Sequence, residues 1–462
     1  MKNKNSGLLD HDLRELLTKG GTSFLLRIFG QAFGFFLAFI IANYFGADTL
    51  GDYVLAIIVL RVFTVFAKLG FDTTAVRFIS SFASQNKWQS IKLLKNKIIM
   101  LLIFSSVCCS VILYFSSSYI SNLINANQFQ IQTIAFFILP MAFFILHYQS
   151  LRGLKKIASY SFFYWMSQSI FSLIVIFLFL TSFKSFFYKE DGIFSTSHIP
   201  IYSYLISLIL TSIISLITYK LYINKKSIDI DKENIEYVSI NKILIISLPL
   251  MFAQSGQMIM SWTDKIMLGA LESPIVSAGI LTSSEQVGIY HIAFKLSMFA
   301  SITLMAVNSI AAPKFSELYA KDDMQALKKV VQQSTKIIFW TSIPLILIFF
   351  SFPKYFLSLF GSEFIIGINA FIFLSFGKLI NAFSGSVGNL LQMTGQQVIF
   401  MKILFIGAIL NISLNYFLIP IWGINGAAIA SMSSIIFWNL SMVIFIKKEY
   451  GFLTLYIPFI SK

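Results

Sequence analysis

Residues 247–269 read SLPLMFAQSGQMIMSWTDKIMLG, and this stretch decides the fold. It is a long apolar segment that opens at Pro249 and carries an adjacent acid and base, Asp264 and Lys265, before it ends. Charges in hydrocarbon cost roughly 2.5 to 3.5 kcal/mol each at the centre of a spanning helix, so the surroundings must solvate them. After a polar loop from Ala270 to Gln286 the chain turns apolar again as VGIYHIAFKLSMF, residues 287–299. Its opening Gly288-x-Tyr290-x-x-Ala293 repeats Gly51-x-Tyr53-x-x-Ala56, far upstream, and each copy follows an apolar segment and a polar turn. Two related halves are the simplest account of that echo.

Composition points the same way. A hydrophobic content of 57% with only 12% charged residues lies far from soluble globular proteins, whose charged fraction is about 25%. The chain is a membrane protein. Its net charge of +15 does not imply nucleic acid, because no basic segment is interleaved with polar, foldable sequence. Cys108 and Cys109 are adjacent in an apolar run, and the four histidines lack the i, i+4 partner of a helical metal site, so no metal centre or structural disulfide is expected. The first apolar run is too long for a secretory signal, and the leucines at 9, 13, 16 and 17 favour either a short surface helix before it or a solvated tail.

Segments long enough to cross about 30 Å of hydrocarbon fall near 22–43, 52–73, 98–118, 130–151, 161–182 and 200–222, then 243–269, 287–311, 337–360, 364–391, 399–419 and 424–446. The expected fold is therefore an all-α polytopic membrane protein of about twelve transmembrane helices. Two six-helix lobes, 1–222 and 242–462, are joined by a polar cytoplasmic linker at 223–241. An even number of spans per lobe gives both the same orientation, a parallel pseudo-two-fold repeat with a cleft between the lobes as the expected site. Lysines and arginines concentrate in alternate loops, while the other loops hold only Lys184, Lys189 and Lys354, which places both termini inside. No GxxxxGK[ST] phosphate loop is present, so ATP hydrolysis by this chain is not expected.

Seven charges lie in or near the spans: Arg27, Arg61, Lys68, Asp264, Lys265, Lys295 and Lys378. Arg61 and Lys378 fall near the middle of their helices, where reaching the headgroups is difficult, and Lys295 lies about two turns in; these three are expected to line a wet cavity. Arg27 and Lys68 sit closer to the inner face, where snorkelling competes with a cavity role. Arg61 and Lys68, seven residues apart, share a helix face as a cationic stripe. Asp264 is expected to pair with a cation on another helix, the sharper alternative being a proton or sodium coupling site. Pro140, Pro249 and Pro344 fall inside spans; with Gly256 beyond Pro249, the seventh helix is the candidate hinge, or else carries a static kink.

The residues also resemble a known family. YFGADTLGDYVLAIIVLRVFTVFAKLGFDTTAVRFIS (44–80), the SLPL start with Asp264-Lys265-Ile266-Met267-Leu268-Gly269, and LLQMTGQQ, Asn411, Asn415 and LIPIWGINGAAIAS near the end are similar to polysaccharide repeat-unit (O-antigen or capsule) flippases of the multidrug/oligosaccharidyl-lipid/polysaccharide exporter superfamily. The resemblance covers nearly the whole chain, with two departures: extra sequence in the loop around SPIVSAGILT (273–282), and a sixth helix that begins IPIYSYLISLI (199–209) without the Gly-Ala signature that the twelfth keeps. It implies a non-enzymatic flippase of the cytoplasmic (inner) membrane, without cofactor, that moves undecaprenyl-pyrophosphate-linked oligosaccharide from the inner to the outer leaflet by alternating access. Lipopolysaccharide or capsule biosynthesis would be the setting, with membrane lipid and a polysaccharide polymerase and chain-length proteins as partners. On this reading Arg61, Lys295, Lys378, Arg27 and Lys68 bind the anionic cargo. A cation-coupled multidrug antiporter of the same superfamily is the first alternative, which the excess of basic over acidic residues in the spans disfavours. A membrane-embedded glycan polymerase or transferase is the second; it needs grouped acids, whereas Asp48, Asp52, Glu190, Asp191, Glu272, Glu285 and Glu363 are spread over separate loops.

Overall fold

The computed structural model describes residues 6–182, 195–226 and 235–456, with the side chains of 6–20, 225–226, 252–261 and 309 outside the description. Most of the loop expected at 183–199 and the middle of the 223–241 linker therefore fall outside the described residues, as does the environment of Gly256. Among the described residues the fold is helical, and nine helices are long and apolar enough to cross a membrane, or ten with one bent pair. Two further passes are contained in these elements. The first, α1 (Ser6–Lys68), breaks at Gly46. Its apolar part, Gly21–Lys68, has 48 residues, which at about 1.5 Å per residue is more than twice the hydrocarbon thickness. The other is a later helix of 31 residues, Ile240–Ala270, of which only Ile240–Met251 could be assessed as apolar. Counted this way, the described residues hold twelve candidate passes, the number expected from the sequence.

Continuing in chain order, α2 (Phe71–Ser84) follows a break at Leu69 and Gly70, both with positive φ. Next come α3 (Trp88–Ile124), the bent pair α4 (Gln128–Ala135) and α5 (Ile138–Gly153), α6 (Ile157–Thr181) and α7 (Ile199–Lys226). The bend of 54° precedes Pro140, which therefore sits in the first turn of α5, where a missing N–H is no loss. The proline helps define a start instead of kinking a continuous helix. In α6 the segment Phe162–Ser167 is a π-helical bulge, and the backbone of Trp165 within it presses on Gly30 of α1, leaving no room for a Cβ.

The helix through Asp264, α8 (Ile240–Ala270), runs continuously past Pro249. It is followed by α9 (Ser283–Ser297), a 3₁₀ turn, α10 (Ile302–Ala320), α11 (Met324–Ser351), α12 (Ile368–Ser384), α13 (Val387–Met393), α14 (Gln397–Trp422) and α15 (Ile424–Tyr450). Pro344 also lies within a continuous helix.

The chain forms two compact units, Met1–Ile41 with Ala56–Gln257, and Ala42–Leu55 with Met258–Lys462. Their bounds differ from 1–222 and 242–462, and three close approaches accompany the difference. In the first unit, Gly70 at the α1–α2 break lies against the carbonyl oxygen of Ser247 in α8. In the second, Gly51 lies against the carbonyl oxygen of Ser284 and Gly288 against that of Ala47. Glycine permits backbone-to-backbone packing that any side chain would block. Linker residues 235–239 are tied to the first unit: Glu236 N–H donates to Ser90 Oγ at 2.8 Å, and Lys97 Nζ to the Val238 carbonyl at 2.8 Å. Lys87 Nζ, hydrogen-bonded to Glu236 at 2.8 Å, holds that exposed carboxyl below its usual range.

Candidate functional site

In the second unit the buried carboxylate of Asp264 is the centre of a polar cage. Tyr290 Oη of α9 donates to Asp264 Oδ2 at 2.5 Å, and Ser431 Oγ of α15 donates to the same oxygen. Asn411 and Asn415, one turn apart on α14, send their Nδ2 groups to Asp264 Oδ1 at 3.0 and 2.8 Å. The expected partner was a cation on another helix; these four donors are all neutral. Burying a charge requires full hydrogen bonding, and three neighbouring helices supply it. The amide oxygens of Asn411 and Asn415 are buried and receive no hydrogen bond among the described residues. Either amide, turned over, would present an oxygen where it now presents N–H, and which way an amide faces is set by its surroundings. The cage can thus offer a carboxylate, two amide oxygens and hydroxyls to a small hard cation.

Beside the cage lie the basic residues. Lys265, buried, holds its ammonium over the ring of Phe294 at 4.4 Å, and Lys378 approaches the same ring at 5.6 Å. Such contacts contribute roughly 0.5 to 2 kcal/mol. Lys295 follows Phe294 on α9 and is half-buried. Helices α8, α9 and α12 therefore bring two of the three lysines to one aromatic residue.

The first unit has an aromatic counterpart. The Arg27 guanidinium lies over Trp165 at 4.6 Å and that of Arg152 over Tyr160 at 5.4 Å. Tyr160 and Tyr164 stack at 5.6 Å, and Tyr148 packs against both, at 6.0 and 5.6 Å. Arg61 is exposed and close enough to Tyr148 to act on it electrostatically. Lys68 differs from Arg61: it is buried and its Nζ bonds Asp72 Oδ2 at 2.7 Å, so the stripe expected along one face is interrupted by a matched pair.

Several acids that the sequence scatters over separate loops are gathered in the second unit. Thr282 Oγ1 donates to Asp48 at 2.5 Å, Ser284 Oγ to Asp52 at 2.6 Å, and Ala47 N–H to Glu363 at 2.6 Å; Glu285 closes a capping box on α9 by accepting from Thr282 N–H at 2.6 Å. Each carboxylate is engaged as an acceptor that fixes the turns around Gly51 and Gly288. Asp264 was expected as a paired or ion-coupling carboxylate, but its neutral donors and the aromatic group around Tyr160 were not foreseen. Tyr160, Tyr164 and Trp165 do fall at i, i+4 and i+5, but in a chain with 50 Phe that spacing carries little information.

Fold and site together define a polytopic membrane transporter. A family model described as "Polysaccharide biosynthesis protein" matches residues 16–319, and one described as MatE matches 249–417. The chain belongs to the polysaccharide biosynthesis protein family. It is similar to a probable low-salt glycan biosynthesis flippase of Haloferax volcanii, 29% identical over 157 residues, covering 34% of this chain and 33% of that protein. Among solved structures, an inward-facing multidrug resistance MATE family transporter of the MOP superfamily aligns at a TM-score of 0.71 and 12% identity, covering 93% of this chain and 98% of that one. The lipid II flippase MurJ in an inward closed conformation aligns at 0.68 and 16%, covering 92% and 88%. At these identities the structural likeness establishes the fold, that of the exporter superfamily named above.

Proposed function

We propose that the protein is a flippase carrying an undecaprenyl-pyrophosphate-linked oligosaccharide repeat unit from the inner to the outer leaflet of the cytoplasmic membrane, with both termini cytoplasmic. The observation that carries this reading is the pairing of cations with aromatic rings in each unit: Arg27 on Trp165 and Arg152 on Tyr160 in one, Lys265 and Lys378 on Phe294 in the other. Guanidinium and ammonium groups suit a pyrophosphate, and aromatic faces suit the apolar faces of sugar rings. Arg61 and Lys295 belong to the same cation set, and Asp264 in its cage is the ion-coupling carboxylate. The glycan flippase relative supports the substrate class. Polysaccharide polymerase and chain-length proteins are the partners this role implies.

Reconstitution into vesicles with lipid-linked oligosaccharide in the inner leaflet tests the proposal. Sugar should become accessible to an impermeant lectin outside, at a rate that depends on the protein. An unchanged rate with and without protein would refute it. A cation-coupled drug antiporter is the second reading, favoured by the buried Asp264 and the match of residues 249–417 to the MatE model. Drug efflux without lectin exposure in the same vesicles would select it.

A further inference from the structure

A cavity of about 330 Å³ opens at the Lys-rich end of the second unit, between the first turns of α11 and the segment that follows α15. Its walls include Lys328, Lys329, Gln332 and Lys336 on one side and Thr454 and Tyr456 on the other, and among the described residues no Asp or Glu lines it. Lys329, Gln332 and Lys336 fall at i, i+3 and i+7, one helix face. Among the described residues none of the three lysines forms an ion pair. The nearby Asp323 is committed to capping α11, accepting from Ala326 N–H at 2.9 Å.

The second wall is fixed in place. Tyr456 N–H donates to the Phe383 carbonyl at 3.1 Å, Trp340 Nε1 to Tyr456 Oη at 3.1 Å, and Gln332 Nε2 to the Leu453 carbonyl at 3.3 Å, while Phe452 is buried in the core with Met442, Val443 and Ile446. Thr454 Oγ1, in the same wall, is buried and has no hydrogen-bond partner among the described residues. Lys328, Lys329 and Lys336 are exposed along the cavity, with Lys336 Nζ 6.0 Å from the Tyr456 ring, so a cluster of like charge that attracts anions lies beside a buried, unused hydroxyl. Ile337, next after Lys336, starts the apolar run of α11, and Trp340 and Tyr456 meet at that level as interfacial aromatics do.

We infer that this cavity binds a phosphate group at headgroup depth, separately from the transport site and independently of what is transported. The group is either the phosphodiester of an anionic lipid or a soluble phosphate. The full chain in nanodiscs of phosphatidylcholine, with and without phosphatidylglycerol, and with inorganic pyrophosphate added to the first, separates the sources. Native mass spectrometry reads bound lipid, and calorimetry reads pyrophosphate. In the Lys328→Gln/Lys329→Gln/Lys336→Gln variant, affinity for one probe should fall at least about tenfold. Lys336→Gln alone should show a smaller loss, and the triple Lys→Arg variant should retain binding. The melting temperature in pure phosphatidylcholine should stay at the wild-type value. Loss confined to phosphatidylglycerol identifies a lipid site, and loss confined to pyrophosphate a soluble one. Unchanged affinity of the triple Gln variant for both probes overturns the inference.

Discussion

Gly51 and Gly288 rest against one another: a Cβ built on Gly288 would lie 3.2 Å from the amide nitrogen of Gly51 and closer still to the Ala47 carbonyl oxygen, and one built on Gly51 would strike the Ser284 carbonyl. They are the first residues of the two copies of Gly-x-Tyr-x-x-Ala, so the repeat visible in the sequence is brought face to face in the fold. The hydroxyl-to-carboxylate bonds of Thr282 to Asp48 and Ser284 to Asp52 flank the crossing. Replacing Gly51 or Gly288 by Leu forces backbones apart, and overpacking of this kind costs about 1 to 3 kcal/mol. Cysteines at Asp48 and Thr282 should crosslink readily in an otherwise wild-type background, and the yield should fall several-fold when Gly288→Leu is added. Equal yields would mean that the close approach does not persist in the membrane.

Topology offers a second measurement. Cysteines placed at Ser227, in the Lys-rich linker, and at Ser277, exposed in the loop after α8, should label from opposite sides of intact cells, the second alone being open to an impermeant reagent from outside. Labelling of the Ser227 position from outside would reverse the orientation.

Asp264 gives a third. Its two oxygens accept four hydrogen bonds, and Asn in its place would turn an N–H₂ toward two of those donors. Leaving buried donors unpaired costs about 1 to 3 kcal/mol each, so Asp264→Asn should lower the melting temperature by several degrees and abolish any dependence of transport on sodium or on pH. A variant whose ion dependence matches wild type would remove Asp264 from coupling. Asn415→Ala should weaken ion dependence while leaving the carboxylate in place, which separates loss of a ligand from loss of the charge.

The number of spans was legible because hydrocarbon imposes length and apolarity on each helix whatever its neighbours are. The repeat was legible because glycines at a close crossing cannot be replaced cheaply. What the sequence did not show follows from packing across helices. The breaks at Gly46 and at Leu69–Gly70, and the π-helical bulge at Phe162–Ser167, arise where one backbone meets another, which hydropathy does not register. The partners of Asp264 come from residues 290, 411, 415 and 431, so a carboxylate that seemed to need a cation is satisfied by neutral groups up to 167 positions away. The same distance problem hid the pairing of Asp48 with Thr282, 234 positions apart. For Lys68 the separation is short instead: its partner, Asp72, is only four residues on, just past a helix break that a continuous-helix reading does not include.

The last prediction concerns Arg61, Lys295 and Lys378. Three cations facing lipid would cost roughly 7 to 10 kcal/mol together, comparable to the stability of a whole domain, so exposure to a wet, anion-accepting space is the cheaper arrangement. Arg61 is exposed in the first unit, Lys295 is half-buried in the second, and Lys378 leans on Phe294 without a carboxylate partner in that contact. Replacing each by Gln removes the charge but keeps a polar side chain of similar length. Export of lipid-linked oligosaccharide should then fall about tenfold or more for each, one lost charge-assisted contact being worth about 1.5 to 3 kcal/mol, with protein levels unchanged. Exchange of Arg for Lys, or Lys for Arg, should retain more activity than Gln at every position. Because Lys378 also touches Phe294, Lys378→Met at equal protein level distinguishes packing from charge: it keeps the bulk and should behave like Gln if the ammonium is what matters. Full complementation of a flippase-deficient strain by all three Gln variants would show that these charges serve packing or the interface, and that anionic cargo is held elsewhere.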